Sequence, residues 1–266
     1  MIGAIIGDIA GSRFEHNNWR RKDFKFFKLY CKATDDSIMT LAVAAALMEA
    51  GETPEALGDC AIRWMQKLGR SHPNCGFGGR FYDWIFAENP QPYGSYGNGA
   101  AMRISPVGYY ARSEDEVRRL SATVTNVSHN HPESIRGAEA VAMAIFMARR
   151  GADMAAIRER IERDYYHIDF TLDEIRRSYR FDVSCQGSVP QALEAFFEST
   201  SFDDAIRNAV SIGGDSDTIA AIAGGIAEAH YGVPESAVEA AEWYLDVALK
   251  EILERWREFM KQRDRK

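Results

Sequence analysis

The scarcities of this sequence narrow it before its motifs do. Among 266 residues there are only four cysteines, Cys31, Cys60, Cys75 and Cys185, widely spaced and without a Cys-x-x-Cys pair. That pattern excludes a disulfide scaffold or a zinc ribbon and reads as free thiols in a reducing compartment. No apolar run approaches the ~20 residues of a membrane span. The opening Met1-Ile2-Gly3-Ala4 lacks the basic start of a signal peptide. The expectation is a cytoplasmic protein with no membrane partner. Basic residues are the minority, 32 Lys and Arg against 39 Asp and Glu, for a net charge of −7. No basic run is interleaved with aromatics, so extended nucleic-acid binding is excluded. What the chain does have is 46% hydrophobic residues, enough for one large core. Recurring helical periods place it in the all-α class, as one domain over 1–266.

The chain is organised around Gly213-Gly214-Asp215-Ser216-Asp217-Thr218-Ile219. Two glycines form a tight turn, and the polar residues stand where a helix must begin. The following Ile219-Ala220-Ala221-Ile222-Ala223-Gly224-Gly225-Ile226-Ala227 is apolar on nearly every side, so that helix is expected to be buried. One aspartate could be an ordinary N-cap, which leaves the second unexplained. The same device occurs earlier: Thr34-Asp35-Asp36-Ser37 runs into the apolar Ile38-Met39-Thr40-Leu41-Ala42-Val43. Adjacent aspartates at a helix mouth repel, and the helix N-terminus offers only about half a positive charge. Hard oxygen donors from Thr34, Asp35, Asp36, Asp215, Asp217 and Thr218 suit Mg²⁺ or Mn²⁺, and together could hold two such ions. This requires the two helix mouths to face each other, which spacing alone does not establish.

Helices are expected over Met1–Ser12, Asp36–Ala50, Pro54–Leu68, Asp115–Thr125, Ser134–Arg150, Gln191–Glu198 and Phe202–Ser211, with an amphipathic helix at the C-terminus. The three glycines of the first allow close packing by a neighbour. Residues 16–32 read as a polar surface loop beside the site, with the length of a lid. Residues 71–99 are rich in glycine, proline and aromatics and read as irregular backbone, ending in Gly94-Ser95-Tyr96-Gly97-Asn98-Gly99 before a helix at Ala100. Such an ending is either a plain turn or an anion cradle. Arg103 is expected in a structural ion pair. His129 and His131 lack a third zinc ligand at suitable spacing, and Cys185 lacks the base a nucleophile needs.

Thr34-Asp35-Asp36-Ser37, Gly97-Asn98-Gly99-Ala100-Ala101-Met102-Arg103 and Gly213-Gly214-Asp215-Ser216-Asp217-Thr218 resemble, in order, three signatures of the ADP-ribosylglycohydrolase family. The opening Gly3-Ala4-Ile5-Ile6-Gly7-Asp8-Ile9-Ala10-Gly11-Ser12 is similar to its N-terminal block. The resemblance implies a compact orthogonal helical bundle with a dinuclear metal centre at helix N-termini. It implies hydrolysis of the glycosidic bond joining ADP-ribose to a protein side chain or small acceptor. It also implies Asp36 as the base, Glu15 as the alternative acid–base or positioning group, and Ser95, Gly97, Asn98 and His129 as contacts to ribose and diphosphate. Two rivals remain at this level: an ADP-ribose-binding protein without activity, and a metal-dependent phosphoester hydrolase.

Overall fold

Glycines at every fourth position of the first helix determine where the site forms. The computed structural model describes residues 1–51 and 53–263. Its elements in chain order are α1 (Ile2–Gly11), α2 (Asp35–Ala50), α3 (Leu57–Ser71), α4 (Gly79–Phe86), α5 (Gly99–Met102), α6 (Ser105–Tyr110), α7 (Glu114–Asn126) and α8 (Pro132–Arg149). There follow α9 (Met154–Asp164), α10 (Leu172–Ile175), α11 (Cys185–Phe197), α12 (Phe202–Ser211), α13 (Ser216–Tyr231), α14 (Glu235–Glu242) and α15 (Val247–Arg263). Among the described residues there is no strand, only an isolated antiparallel bridge between Gly97 and Ser184. The protein is all-α, as the composition implied.

Helix α1 lies antiparallel on α13 at backbone contact. A Cβ on Gly3 would stand 2.3 Å from the Gly224 carbonyl oxygen, one on Gly7 2.0 Å from that of Ala220, and one on Gly11 2.5 Å from that of Ser216. Both rows advance by four residues, so the small residues of each helix share one ridge. The pairing brings the C-terminal end of α1 beside the N-terminus of α13. Helix α2 is buried around most of its circumference, as its alanine-rich run predicts, and its N-terminus meets the same point. Gly7→Ala is therefore expected to destabilise the protein by about 3 kcal/mol or more, the upper range for overpacking, because the obstructing atom is backbone. The urea unfolding midpoint measures this. An unchanged midpoint would show that α1 and α13 separate freely.

Three local expectations change. Residues 71–99 are not irregular throughout, because α4 occupies 79–86 with Phe81, Trp84 and Ile85 on one buried stripe. Flanking glycines masked that short period. Helix α11 starts at Cys185, six residues before the expected Gln191, and runs through Pro190. Ser184 caps it by accepting from the Gly187 amide. Residues 16–32 form no helix, yet Phe24, Phe26 and Cys31 are buried. Arg20 ties the segment down by donating to the carbonyls of Arg176, Tyr179 (2.8 Å) and Ile212 (2.7 Å). It is an anchored segment and not a free lid.

Candidate active site

The two aspartate turns meet. Thr34 is the N-cap of α2, its hydroxyl accepting from the Asp36 amide at 3.3 Å. That hydroxyl gives its own proton to Asp8 Oδ1 at 2.6 Å. Asp8, fully buried on α1, also accepts from the Thr34 amide at 2.9 Å, the Ser37 amide at 3.1 Å and the Ser37 hydroxyl. One carboxylate on α1 thus fastens the mouth of α2. The sequence reading gave Asp8 no role of its own. A carboxylate inside an otherwise apolar helix was the available signal, since a buried charge needs partners.

Gly213 and Gly214 both take positive φ, +73° and +76°, a backbone that side chains resist, and deliver Asp215 to the N-cap position of α13. Its side chain does not cap; it accepts from Asn98 Nδ2 at 2.6 Å. Asp217 Oδ1 accepts from the Thr218 amide at 3.1 Å. Thr218 Oγ1 reaches Asp36 Oδ2 at 3.3 Å, joining the two mouths. One carboxylate oxygen each from Asp8, Asp36 and Asp217 lie within 4.8 Å of one another, and so do one each from Glu15, Asp215 and Asp217. Asp217 belongs to both groups. Asp35 belongs to neither and lies on the wall, its Oδ1 2.7 Å from where a Cβ on Gly76 would stand. Gly76, at φ +133°, is required there on both counts. Asp36 Oδ1 is buried with no hydrogen-bond partner among the described residues. An orphaned anionic oxygen among hard oxygen donors is the arrangement a divalent cation satisfies.

Burial is the main reason these carboxyl groups titrate above the ordinary aspartate range. It pushes Asp8 up to about 6 against the hydrogen bonds from Ser37 and Thr34, and Asp215 up to about 6 against the Asn98 bond. Asp35 rises to about 8 through burial and the charges of Asp8, Asp215 and Glu15. Asp36 and Asp217 are pushed well above the ordinary aspartate range by burial and their neighbours' charges. Between an unfolded value near 4 and these raised values, the folded state binds more protons than the unfolded chain, so stability falls as pH rises. Cation-free protein is expected to melt higher at about pH 5 than at about pH 8, measured by thermal unfolding in chelator. A slope of the opposite sign would contradict the charge cluster.

Asp35, Asp36, Asp215, Asp217 and Thr218 line a cavity of about 440 Å³, of the size that takes a small ligand. Glu15 stands on its wall, partly exposed. Ser95, Gly97, Asn98 and His129 line it too, with Asn98 directly beside Asp215. This part of the lining is not an open helix N-terminus. Helix α5 has four residues, the Gly97 amide donates to Ser95 Oγ at 3.1 Å, and the Asn98 amide to the Val183 carbonyl at 2.8 Å. Gly97 has no positive φ. Asn98 Nδ2 donates to both Ser188 Oγ (2.9 Å) and Asp215. Its two hydrogens are thus engaged, and the side chain offers a ligand only an acceptor. That suits a hydroxyl and not a phosphate.

Arg103 is fully buried with no carboxylate partner among the described residues, so the expected ion pair does not form. Its Nη2 donates to Ser128 Oγ at 2.9 Å, and it lies over the Phe81 ring. His131 caps α8, accepting from the Glu133 amide. The Cys185 thiol, pushed up to about 12 by burial, is no nucleophile. No described helix is long and apolar enough to cross a membrane.

By fold and site this is an all-α protein whose buried carboxylate cluster borders a ligand-sized cavity. The family model of the ADP-ribosylglycohydrolases matches residues 1–264. ADP-ribosylarginine hydrolase Tri1 of Pseudomonas putida (strain GB-1) is 27% identical over 91% of this chain and 73% of its own length. The ADP-ribosyl-[dinitrogen reductase] glycohydrolase of Rhodospirillum rubrum is 30% identical over 76% of this chain and 70% of its own. A solved structure described as an ADP-ribosylglycohydrolase-related protein complex superposes with a TM-score of 0.67 over 96% of both chains, at 24% identity. This chain belongs to the ADP-ribosylglycohydrolase family.

Proposed function

We propose that this protein hydrolyses the glycosidic bond between the anomeric carbon of ADP-ribose and an acceptor, using divalent cations held by the carboxylate cluster. The observation that carries this reading is that two carboxylate groups share Asp217, and that Asp36, Asp215, Asp217 and Glu15 from them line one cavity with Asn98 and His129. Asp8 orients the mouth of α2, while Asp36, Asp217, Asp215, Glu15 and Thr218 supply oxygen ligands. Two Mg²⁺ ions, with Mn²⁺ the alternative, would offset the clustered charge and polarise ribose hydroxyls and a water.

The chain's own groups divide the remaining work. Asn98 Oδ1 accepts from a ribose hydroxyl, and the Asn98–Asp215 bond ties that acceptor to the carboxylate cluster. His129 lies where it can meet the diphosphate. Asp36, ionised once its charge is offset, takes the proton of the attacking water; Glu15, on the wall, is the alternative base or positioning group. Positive charge grows at the anomeric carbon as the bond breaks, and the surrounding carboxylates stabilise it. The arginine linkage named for the Pseudomonas putida relative is the first acceptor to try.

The test is competitive. Purified Mg²⁺-loaded protein is given ADP-ribosylarginine, an ADP-ribosylated protein and a phosphoester. Release of ADP-ribose from either of the first two, with the phosphoester untouched, is the expected result. Phosphoester cleavage alone would replace this reading with the rival hydrolase, and ADP-ribose binding without turnover of any linkage would make the protein a reader.

A further inference from the structure

His129 is 4% exposed, and the little it shows faces the cavity beside Gly97 and Gly99. Its Nε2 lies 3.2 Å from the Cβ position of Gly99 and 3.7 Å from that of Gly97. No hydrogen bond to Nε2 comes from any described residue, and the flanking rings of Phe81 and Tyr93, at 5.7 and 5.6 Å, offer none along their faces. Behind the imidazole, Nδ1 is 2.8 Å from Ser128 Oγ. The direction of that bond follows from the next link. Arg103 has only donors, and its Nη2 bonds Ser128 Oγ at 2.9 Å, so the serine oxygen accepts there. Ser128 is fully buried and has no other side-chain partner among the described residues. Its single hydroxyl proton would be stranded unless it goes to Nδ1, and a stranded buried donor is costly. Nδ1 is therefore the acceptor.

We propose that Arg103, acting through Ser128, locks His129 in the tautomer that carries its proton on Nε2, so that this N–H donates to a diphosphate oxygen of the ligand. Identifying that oxygen rests on the ADP-ribose reading above; the tautomer does not. The imidazole is neutral as well as oriented. Burial and the charges of Arg103 and Arg80 push its pKa well below the ordinary histidine value. Arg103 and Ser128 are positioning residues, since they act through His129. Gly99, where a Cβ would stand 3.2 Å from Nε2, keeps the space beside that nitrogen clear. An Nδ1–H tautomer would place a lone pair there and repel the anion.

Two measurements on the full-length protein test this. In ¹⁵N-histidine NMR of the ligand-free protein, the resonances lost in His129→Gln identify the residue. The expected pattern is a protonated Nε2 and a bare Nδ1, with the bias lost in Ser128→Ala. A protonated Nδ1 in the wild type overturns the relay whatever the ligand does. Calorimetry with free ADP-ribose and Mg²⁺ then reads the consequence. Ser128→Ala is expected to weaken binding about three- to tenfold, the worth of one oriented hydrogen bond. In a His129→Gln background, whose amide donates without any tautomer, Ser128→Ala is expected to change nothing further. Equal affinities in wild type and Ser128→Ala, or the same loss in both backgrounds, overturn the positioning role. A wild type that shows the Nε2–H tautomer but binds no ADP-ribose overturns the ligand assignment and with it the donor role.

Discussion

Asp217→Asn is expected to lower ADP-ribose release by about 10³-fold or more, the scale of a lost charge-stabilising group in a buried site, while leaving the cation-free protein no less stable than wild type. Asp217 is the carboxylate common to both acidic groups. Its loss removes a ligand from each at once. The amide keeps what the apo fold uses, an oxygen to accept from the Thr218 amide and an N–H that can reach Asp215. It discards only the charge that Asp215, Asp36, Glu15 and Asp8 oppose. Relief of about 1 kcal/mol of repulsion would raise the midpoint of the apo protein by about 2–4 °C. Thermal unfolding in chelator, with activity on the same preparation, separates the outcomes. An inactive variant that also melts well below wild type would make Asp217 a structural residue.

Removing cations from the wild type should have an effect of similar size in activity and the opposite sign in stability. Chelation is expected to abolish release, and Mg²⁺ or Mn²⁺ to restore it, whereas Zn²⁺, which prefers nitrogen and sulfur donors, should not. A ligand present at about a hundredfold its dissociation constant stabilises the fold by about 2.7 kcal/mol, or about 5–10 °C in midpoint for a chain of this size. The gain should grow with pH, because the carboxyl groups that must release protons on binding sit above their ordinary values. Full activity after exhaustive chelation, with no metal found by elemental analysis, would contradict the proposal.

Local chemistry made most of the framework readable. The glycine pair at 213–214, the polar residues after it and the apolar run beyond declare a buried helix mouth, and Thr34-Asp35-Asp36 declares another. What the sequence could not contain was their meeting, which depends on a glycine row on α1 fitting against Ser216, Ala220 and Gly224. Asp8 escaped because its partners are 26 and 29 residues away. Asn98 was expected to contact ribose and diphosphate, and the engagement of its two amide hydrogens is visible only when Ser188 and Asp215 are brought beside it. Arg103 was expected to find a carboxylate, and finds a serine and an aromatic face. In each instance the residue type was legible and the partner was not, since partners come from distant parts of the chain.

The most direct test of the central claim is ADP-ribose release from an ADP-ribosylated arginine by one preparation, divided into chelated, Mg²⁺-reloaded and Asp217→Asn samples. The account predicts release in the reloaded wild type alone. Release that persists in the chelated sample or in the variant would mean that the carboxylate cluster is not where the bond is broken.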